Sequence, residues 1–238
     1  MNISAAAEIA KGRFPVVVDG TFAGPLAQNP FGVGADIIVD SLTKVACGHG
    51  NAMGGIIAGA GPLIDHLFLF RKDDGASISP EAASTILTGL RTLAVRYERM
   101  EKNTIALVEM LQARDDVISK LHYPLLDPLY PELVRKGQMS GPGYMVTIEL
   151  IGGLEAGITF INNLKLVEHA VSLGDFASRI SHPASTTQAL VPENEQRIMG
   201  ITPGMVRLSI GGEAIGDIMQ DIEQALEKVK NGQVNQAR

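Results

Sequence analysis

A chain whose only cysteine is Cys47 cannot hold an internal disulfide, which fits a reducing compartment. No stretch approaches the ~18 apolar residues of a membrane-spanning helix. No secretory leader opens the chain, so a cytoplasmic location is expected. Positive charge is not in excess either. Twenty Lys and Arg against 26 Asp and Glu give a formal net charge of -6, and that argues against general attraction to nucleic acid or anionic membrane. A small-molecule partner is the expectation. Charged residues make up only 19% and hydrophobic ones 45%, which is not the composition of a disordered chain. The glycine-rich "GHGNAMGG" at 48–55 matches neither G-x-G-x-x-G nor G-x-x-x-x-G-K-[ST], so its support for a nucleotide loop is weak.

What is present is enough apolar material for one large domain or two modest ones, at ~100–200 residues per domain over 238 residues. The opening "MNISAAAEIAKGRFPVVVDG" reads as the tail of a helix (Ala5 to Lys11), a turn and a buried strand, as if the chain began in mid-domain. "FPVVVD" (14–19) and "ADIIVDS" (35–41) are short apolar runs ending on polar residues, the pattern of strands covered on both faces of a parallel sheet. "MGGIIAGAG" (53–61) is a weaker third strand. Pro80 is placed to open a long helix reaching about Ala113, with Glu98 and Lys102 paired at i,i+4. A Pro-rich loop follows at 122–133. In the strand "GPGYMVTIELIGG" (141–153), Val146, Ile148 and Leu150 share one face, and Met145, Thr147 and Glu149 the other. Residues 154–173 are expected as helix and 205–213 as strand. A final amphipathic helix through Ile215, Ile218, Met219, Ile222, Leu226 and Val229 should fray into "NGQVNQAR". The expected division is 1–95 and 96–238, a parallel-rich sheet domain followed by an α+β domain.

Two strand ends carry possible chemistry. Asp19 follows "PVVV", and Ser41, Thr43 and Lys44 follow "DIIV". Ligands of open α/β sheets gather at the carboxyl ends of strands, so adjacent parallel strands would turn Asp19 and Lys44 toward one crevice. A lysine there serves either as phosphate counter-charge or as an amine that condenses with a carbonyl cofactor. The plainer alternatives are a solvated surface lysine and an aspartate that caps a turn. No metal cluster is expected.

The stretch "VVVDGTFAGPLAQNPFGVGADIIVDSLTKVACGHGNAMGG" resembles the Cys/Met-metabolism family of pyridoxal-phosphate enzymes, with its V-D-N-T, G-A-D and S-x-T-K…G-H-G pattern. The likeness continues through "GLRTLAVRYER", "AVSLGD", "SHPASTT" and "GITPGMVRLSIGGE". The resemblance implies an α/β chain of fold type I, like aspartate aminotransferase. Residues 1–95 would be the later portion of the cofactor-binding large domain, and 96–238 the small domain. It implies pyridoxal 5'-phosphate as cofactor, Lys44 as the Schiff-base lysine and α-proton base, and Asp19 on the pyridine nitrogen. Ser41 and Thr43 would hold the phosphate, and Arg207 and Ser172 would meet the substrate carboxylate. The implied reaction is γ-elimination or γ-replacement on a sulfur amino acid or O-acylhomoserine, methionine γ-lyase-like. O-acetylhomoserine sulfhydrylase and cystathionine lyase or synthase are the alternatives, and a truncated or decayed chain inactive alone is the non-enzymatic one. A homo-oligomer, dimer or tetramer, is implied as well.

The chain departs from the pattern in places. Gly20 stands for the family's Asn, Val45 for an aromatic, Gln188 for a histidine, and Ala177 for the Glu of cystathionine-type members. The family's N-terminal part, which supplies a phosphate-cupping turn and a ring-stacking aromatic, is expected to lie outside this chain. His49, His182 and Cys47 are expected to shape loops or pack rather than react. Lys72 and Asp73 resemble a pair near the substrate in methionine γ-lyases, or form a surface ion pair.

Overall fold

The computed structural model describes residues 1–236, with backbone alone for 233–236. In chain order the elements are α1 (Ile3–Ala10), β1 (Val17–Asp19), α2 (Gly24–Ala27), β2 (Ile37–Ser41), β3 (Gly55–Gly59), α3 (Gly61–Asp74), α4 (Pro80–Arg91) and α5 (Leu93–Gln112). They continue with β4 (Ile118–His122), α6 (Tyr130–Arg135), β5 (Met145–Leu150), α7 (Gly153–Asn163), β6 (Glu168–His169), β7 (Arg179–Ser181), α8 (Glu193–Ile198), β8 (Met205–Ser209) and α9 (Ile215–Gln236). Two compact units result: Met1–Tyr97 with Asp127–Gly143, and Glu98–Leu126 with Tyr144–Arg238. Among the described residues no helix is long and apolar enough to cross a membrane.

The first unit holds a three-stranded sheet ordered β1-β2-β3. β1 and β2 pair in parallel, Val17 with Ile37 and Asp19 with Val39, so both strands finish on the same edge. The glycine-rich third run does form a strand, antiparallel to β2 from Ile37–Gly59 to Ser41–Gly55. The sheet is therefore mixed. The expectation of full burial holds less well, since Val17, Ile56 and Ile57 are exposed. The single long helix expected from Pro80 is in fact two. Thr92 ends α4, where its amide bonds to the carbonyls of Gly89 and Leu90 and its hydroxyl donates to Gly89 O (3.1 Å). Ser79 caps the start by accepting from Ala82 N (3.2 Å), with Pro80 at the first turn. Part of the Pro-rich stretch 122–133 is helical as well, because Pro131 opens α6 where its missing N–H costs nothing.

The second unit is built on a five-stranded sheet ordered β4-β5-β8-β7-β6. The alternation expected of β5 is present: Val146, Ile148 and Leu150 are buried, and the residues between them are half-exposed. Those three join Val206 and Leu208 of β8, Leu107 and Leu111 of α5, Phe160 of α7, and Ile218, Ile222 and Leu226 of α9 in one apolar core. Helix α7 stops at Asn163, well short of the expected 173. The buried Asp221 carboxylate of α9 takes the amides of Lys165 (2.8 Å), Leu166 (2.8 Å) and Val167 (3.0 Å), holding that segment off the helical path. Helix α9 continues through Gln236 instead of fraying at Asn231, since each added residue gains one backbone bond at little cost. Ala237 and Arg238 of the expected tail lie outside the described residues.

Three backbone donors on one buried carboxylate make Asp221 costly to remove. Asp221→Ala should destabilise the protein by about 2–4 kcal/mol, read as a lower urea midpoint, because the stranded amides bear the desolvation penalty. An unchanged midpoint would show that water replaces the carboxylate freely.

Candidate active site

The carboxyl ends of β1 and β2 lie side by side. Asp19 closes β1 as an exposed residue. Its Oδ1 accepts from Thr21 N (3.0 Å), and its Oδ2 has no hydrogen-bond partner among the described residues. Thr21 also accepts from Ser41 N at its hydroxyl oxygen (3.0 Å), and Gly20 N donates to Val39 O (2.9 Å). The two strand ends are thus laced together, holding Asp19 beside Ser41.

After Ser41 the chain enters a hydrogen-bonded turn. Lys44 N donates to Ser41 O (3.1 Å), Cys47 N to Leu42 O (2.9 Å) and Gly48 N to Lys44 O (2.8 Å). Lys44 is half-exposed on this turn, while Val45, Ala46 and Cys47 are buried beneath it. The Ser41 hydroxyl has no partner among the described residues, whereas Thr43 is engaged. Gly54 N donates to Thr43 Oγ1 (3.0 Å), and that hydroxyl donates to Gly54 O (3.3 Å). Of the two hydroxyls expected to hold a phosphate, Ser41 has its proton available. The Thr43 proton is given to Gly54 O.

Residues expected to shape loops do so. His49 Nδ1 lies 2.6 Å from Cys47 O, and Cys47 Sγ donates to Asn51 Oδ1 (3.3 Å). His182 bridges Ser185 Oγ and Pro203 O, each at 2.8 Å. Lys72 and Asp73 lie in the last turn of α3.

In the second unit Arg207 sits on β8 opposite Thr147 of β5 and Ser181 of β7. Its guanidinium donates to Val171 O (3.1 Å), one residue before Ser172. Burial pulls the Arg207 pKa below its ordinary value, as expected of a cation held partly out of water. Arg207 thus bonds the carbonyl next to Ser172 in this unit, while Asp19, Ser41, Thr43 and Lys44 lie at and just beyond the ends of β1 and β2 in the first.

Sequence reasoning overlooked Thr21, Asp40 and Arg96. Thr21 stands two residues after Asp19 in "DGT", and that position just past a strand end was the available signal. Asp40 lies against Gly20: a β-carbon at Gly20 would stand in ordinary contact, 3.4 Å from Asp40 Oδ2.

The Cys/Met metabolism PLP-dependent enzyme family matches residues 1–227. The chain belongs to that family. It is 44% identical over 216 residues to the L-methionine gamma-lyase of Fusobacterium nucleatum subsp. nucleatum, covering 90% of this chain and 54% of that protein. It is 41% identical over 229 residues to the L-methionine gamma-lyase of Pseudomonas putida, covering 95% and 57%. The crystal structure of cystathionine gamma synthase from Xanthomonas oryzae pv. oryzae, in complex with aminoacrylate and cysteine, superposes with a TM-score of 0.91 at 32% identity, covering 97% of this chain and 60% of that one. The chain spans about half the length of the curated relatives it matches. Its fold class is α/β, fold type I, as the resemblance implied.

Asp40 offers a pH signature. Its carboxyl pKa is raised by burial first and by the charge of Asp19 second, and is partly relieved by the Ser41 amide. Above the raised value the charge burdens the folded chain; below the ordinary 3.8 both states are neutral and the burden is gone. Asp40→Asn should therefore raise the melting temperature by a few degrees at pH 7, with the gain closing as pH falls toward 3.8. A gain that does not vary with pH would exclude the charge as its cause.

Proposed function

We propose that this chain carries the lysine-bearing part of a pyridoxal-phosphate-dependent lyase that removes the γ-substituent of a sulfur amino acid, as the relatives named L-methionine gamma-lyase do. The carrying observation is that Asp19, Ser41 and Lys44 stand together where β1 and β2 end. The donor set fits the cofactor. A carboxylate with an uncommitted oxygen suits a protonated pyridine nitrogen, a hydroxyl with an available proton suits a phosphate, and an amine suits an aldehyde. When bound, pyridoxal phosphate supplies that aldehyde and a ring able to take up an electron pair.

The chain's own groups then have separable tasks. Asp19 Oδ2 accepts from the ring nitrogen and keeps it protonated. Ser41, joined by Thr43, donates to the phosphate. The Lys44 amine would take the substrate's α-proton, and loss of a second proton from Cβ would expel the γ-substituent, which leaves with its bonding pair and is protonated to the free thiol. In the second unit, Arg207 offers a planar guanidinium for bidentate pairing with an α-carboxylate, with Ser172 beside it. With water the products are a thiol, an α-keto acid and ammonia. With a thiol acceptor the γ-substituent is exchanged instead. The likeness to a cystathionine gamma synthase supports that second reading. Residues 1–95 belong in this proposal to the cofactor-binding domain and 96–238 to the small domain. The acting form is a homo-oligomer, dimer or tetramer, in the cytoplasm, in keeping with the resemblance and the single cysteine.

Titration with pyridoxal phosphate, followed by its visible absorption, tests the assignment. The band should form in the unsubstituted chain and be lost in Lys44→Ala. Ser41→Ala should weaken cofactor affinity about tenfold, the scale of one hydrogen bond to a charged group, without lowering the melting temperature. No band in the unsubstituted chain, or a band that survives Lys44→Ala, would overturn the reading.

A further inference from the structure

The turn that carries Lys44 ends on carbonyls with no partner inside the turn, and one buried side chain takes them. Arg96 of α5 donates from one terminal nitrogen to Val45 O (3.0 Å), and from the other to Ala46 O (3.2 Å) and Gly89 O (2.8 Å). Its Nε donates to Thr92 Oγ1 (3.1 Å). Val45 and Ala46 directly follow Lys44, so the guanidinium fixes the peptide planes on which the lysine stem stands. A fork of this width matches a guanidinium and exceeds the reach of an ammonium.

The surroundings are shaped for this contact. Gly48 has φ +70, and a β-carbon there would fall 1.7 Å from a terminal nitrogen of Arg96. A β-carbon at Gly89 would fall 2.2 Å from Cys47 O. Two glycines thus admit the guanidinium and the helix end against the lysine turn, and the break at Thr92 supplies the acceptor for Nε.

We propose that Arg96 is the positioning residue of Lys44: through the carbonyls of Val45 and Ala46 it holds the amine on the path to the cofactor's aldehyde. This rests on the reading that Lys44 is the cofactor lysine. In the step concerned, the neutral Nζ adds its electron pair to the aldehyde carbon, water leaves, and a carbon–nitrogen double bond remains. Borohydride then delivers hydride to that carbon and fixes a stable secondary amine, which peptide mapping locates.

The test follows the rate of this condensation against pyridoxal phosphate concentration in the 238-residue chain, in Arg96→Lys and in Gly48→Ala, which displaces the guanidinium without removing it. Rates are normalised to the folded fraction from circular dichroism. Misplacing a reacting group by ~1 Å costs up to ~100-fold. The rate at saturation on Lys44 should therefore fall about tenfold or more in both variants, while the half-saturating concentration moves less than twofold. Labelling of surface lysines should stay constant. Unchanged saturating rates on Lys44, or losses that disappear on normalisation, would overturn the proposal by showing a role in stability alone. If the unsubstituted chain takes no label on Lys44, the underlying reading fails, and this proposal with it.

Discussion

The geometry around the lysine rests on the in-register parallel pairing of β1 with β2. Because Asp19 lies opposite Val39, the first strand ends as the second has two residues left, and the carboxylate comes level with the approach to Ser41. A slip of one residue would send Asp19 to the other face of the sheet and part it from Ser41. The register is guarded locally, not by length, since β1 has only three residues. Thr21 does this by touching Asp19 with its amide and Ser41 with its hydroxyl. β3 then supports the far side of β2, and Gly54, just before it, grips Thr43. Strand, turn and strand act as one brace around the lysine.

The second unit solves a different problem, that of keeping a guanidinium at a fixed height on a sheet. Arg207 lies on β8, with neighbours on both sides, so its backbone is held by two ladders. The opposite face of that sheet is sealed by the core shared with α5, α7 and α9. Asn103 of α5 donates to Gly211 O (2.9 Å) and Glu213 O (3.0 Å), anchoring the chain that leaves β8. Glu213 in turn accepts from the amide and hydroxyl of Ser178. The half-buried cation is thereby given a stiff base on every side its backbone can move.

Elements whose signal is local were legible in the sequence. β2 announced itself by a Val/Ile run, β5 by strict alternation, and α9 by its apolar stripe. Burial reproduces the alternation of β5 residue by residue and buries Ile218, Ile222, Leu226 and Val229 of the α9 stripe, whereas in β2 only Ile37 is buried. What was hidden depends on partners distant in sequence. Nothing near 164 says that its helix stops there, because the carboxylate responsible is Asp221, more than fifty residues on. The break at Thr92 was masked by good helix-forming neighbours on either side. At the site, Lys44 and Asp19 could be picked out as polar residues closing apolar runs. The occupation of Thr43 by Gly54 could not, since a hydroxyl's partner is set by the path of the returning chain. Asp40 was overlooked because its burial and its exposure to the charge of Asp19 depend on how β1 and β2 pair.

The single cysteine is fully buried, three residues beyond Lys44, inside the turn whose carbonyls Arg96 holds. A thiol reagent can reach Cys47 only when that turn opens. With no second cysteine in the chain, the pace of modification is a clock for one local event, set by how often the lysine's own footing gives way. The molecule thus contains its own reporter of that opening, and a ligand that stiffens the turn would slow the clock without any label being added.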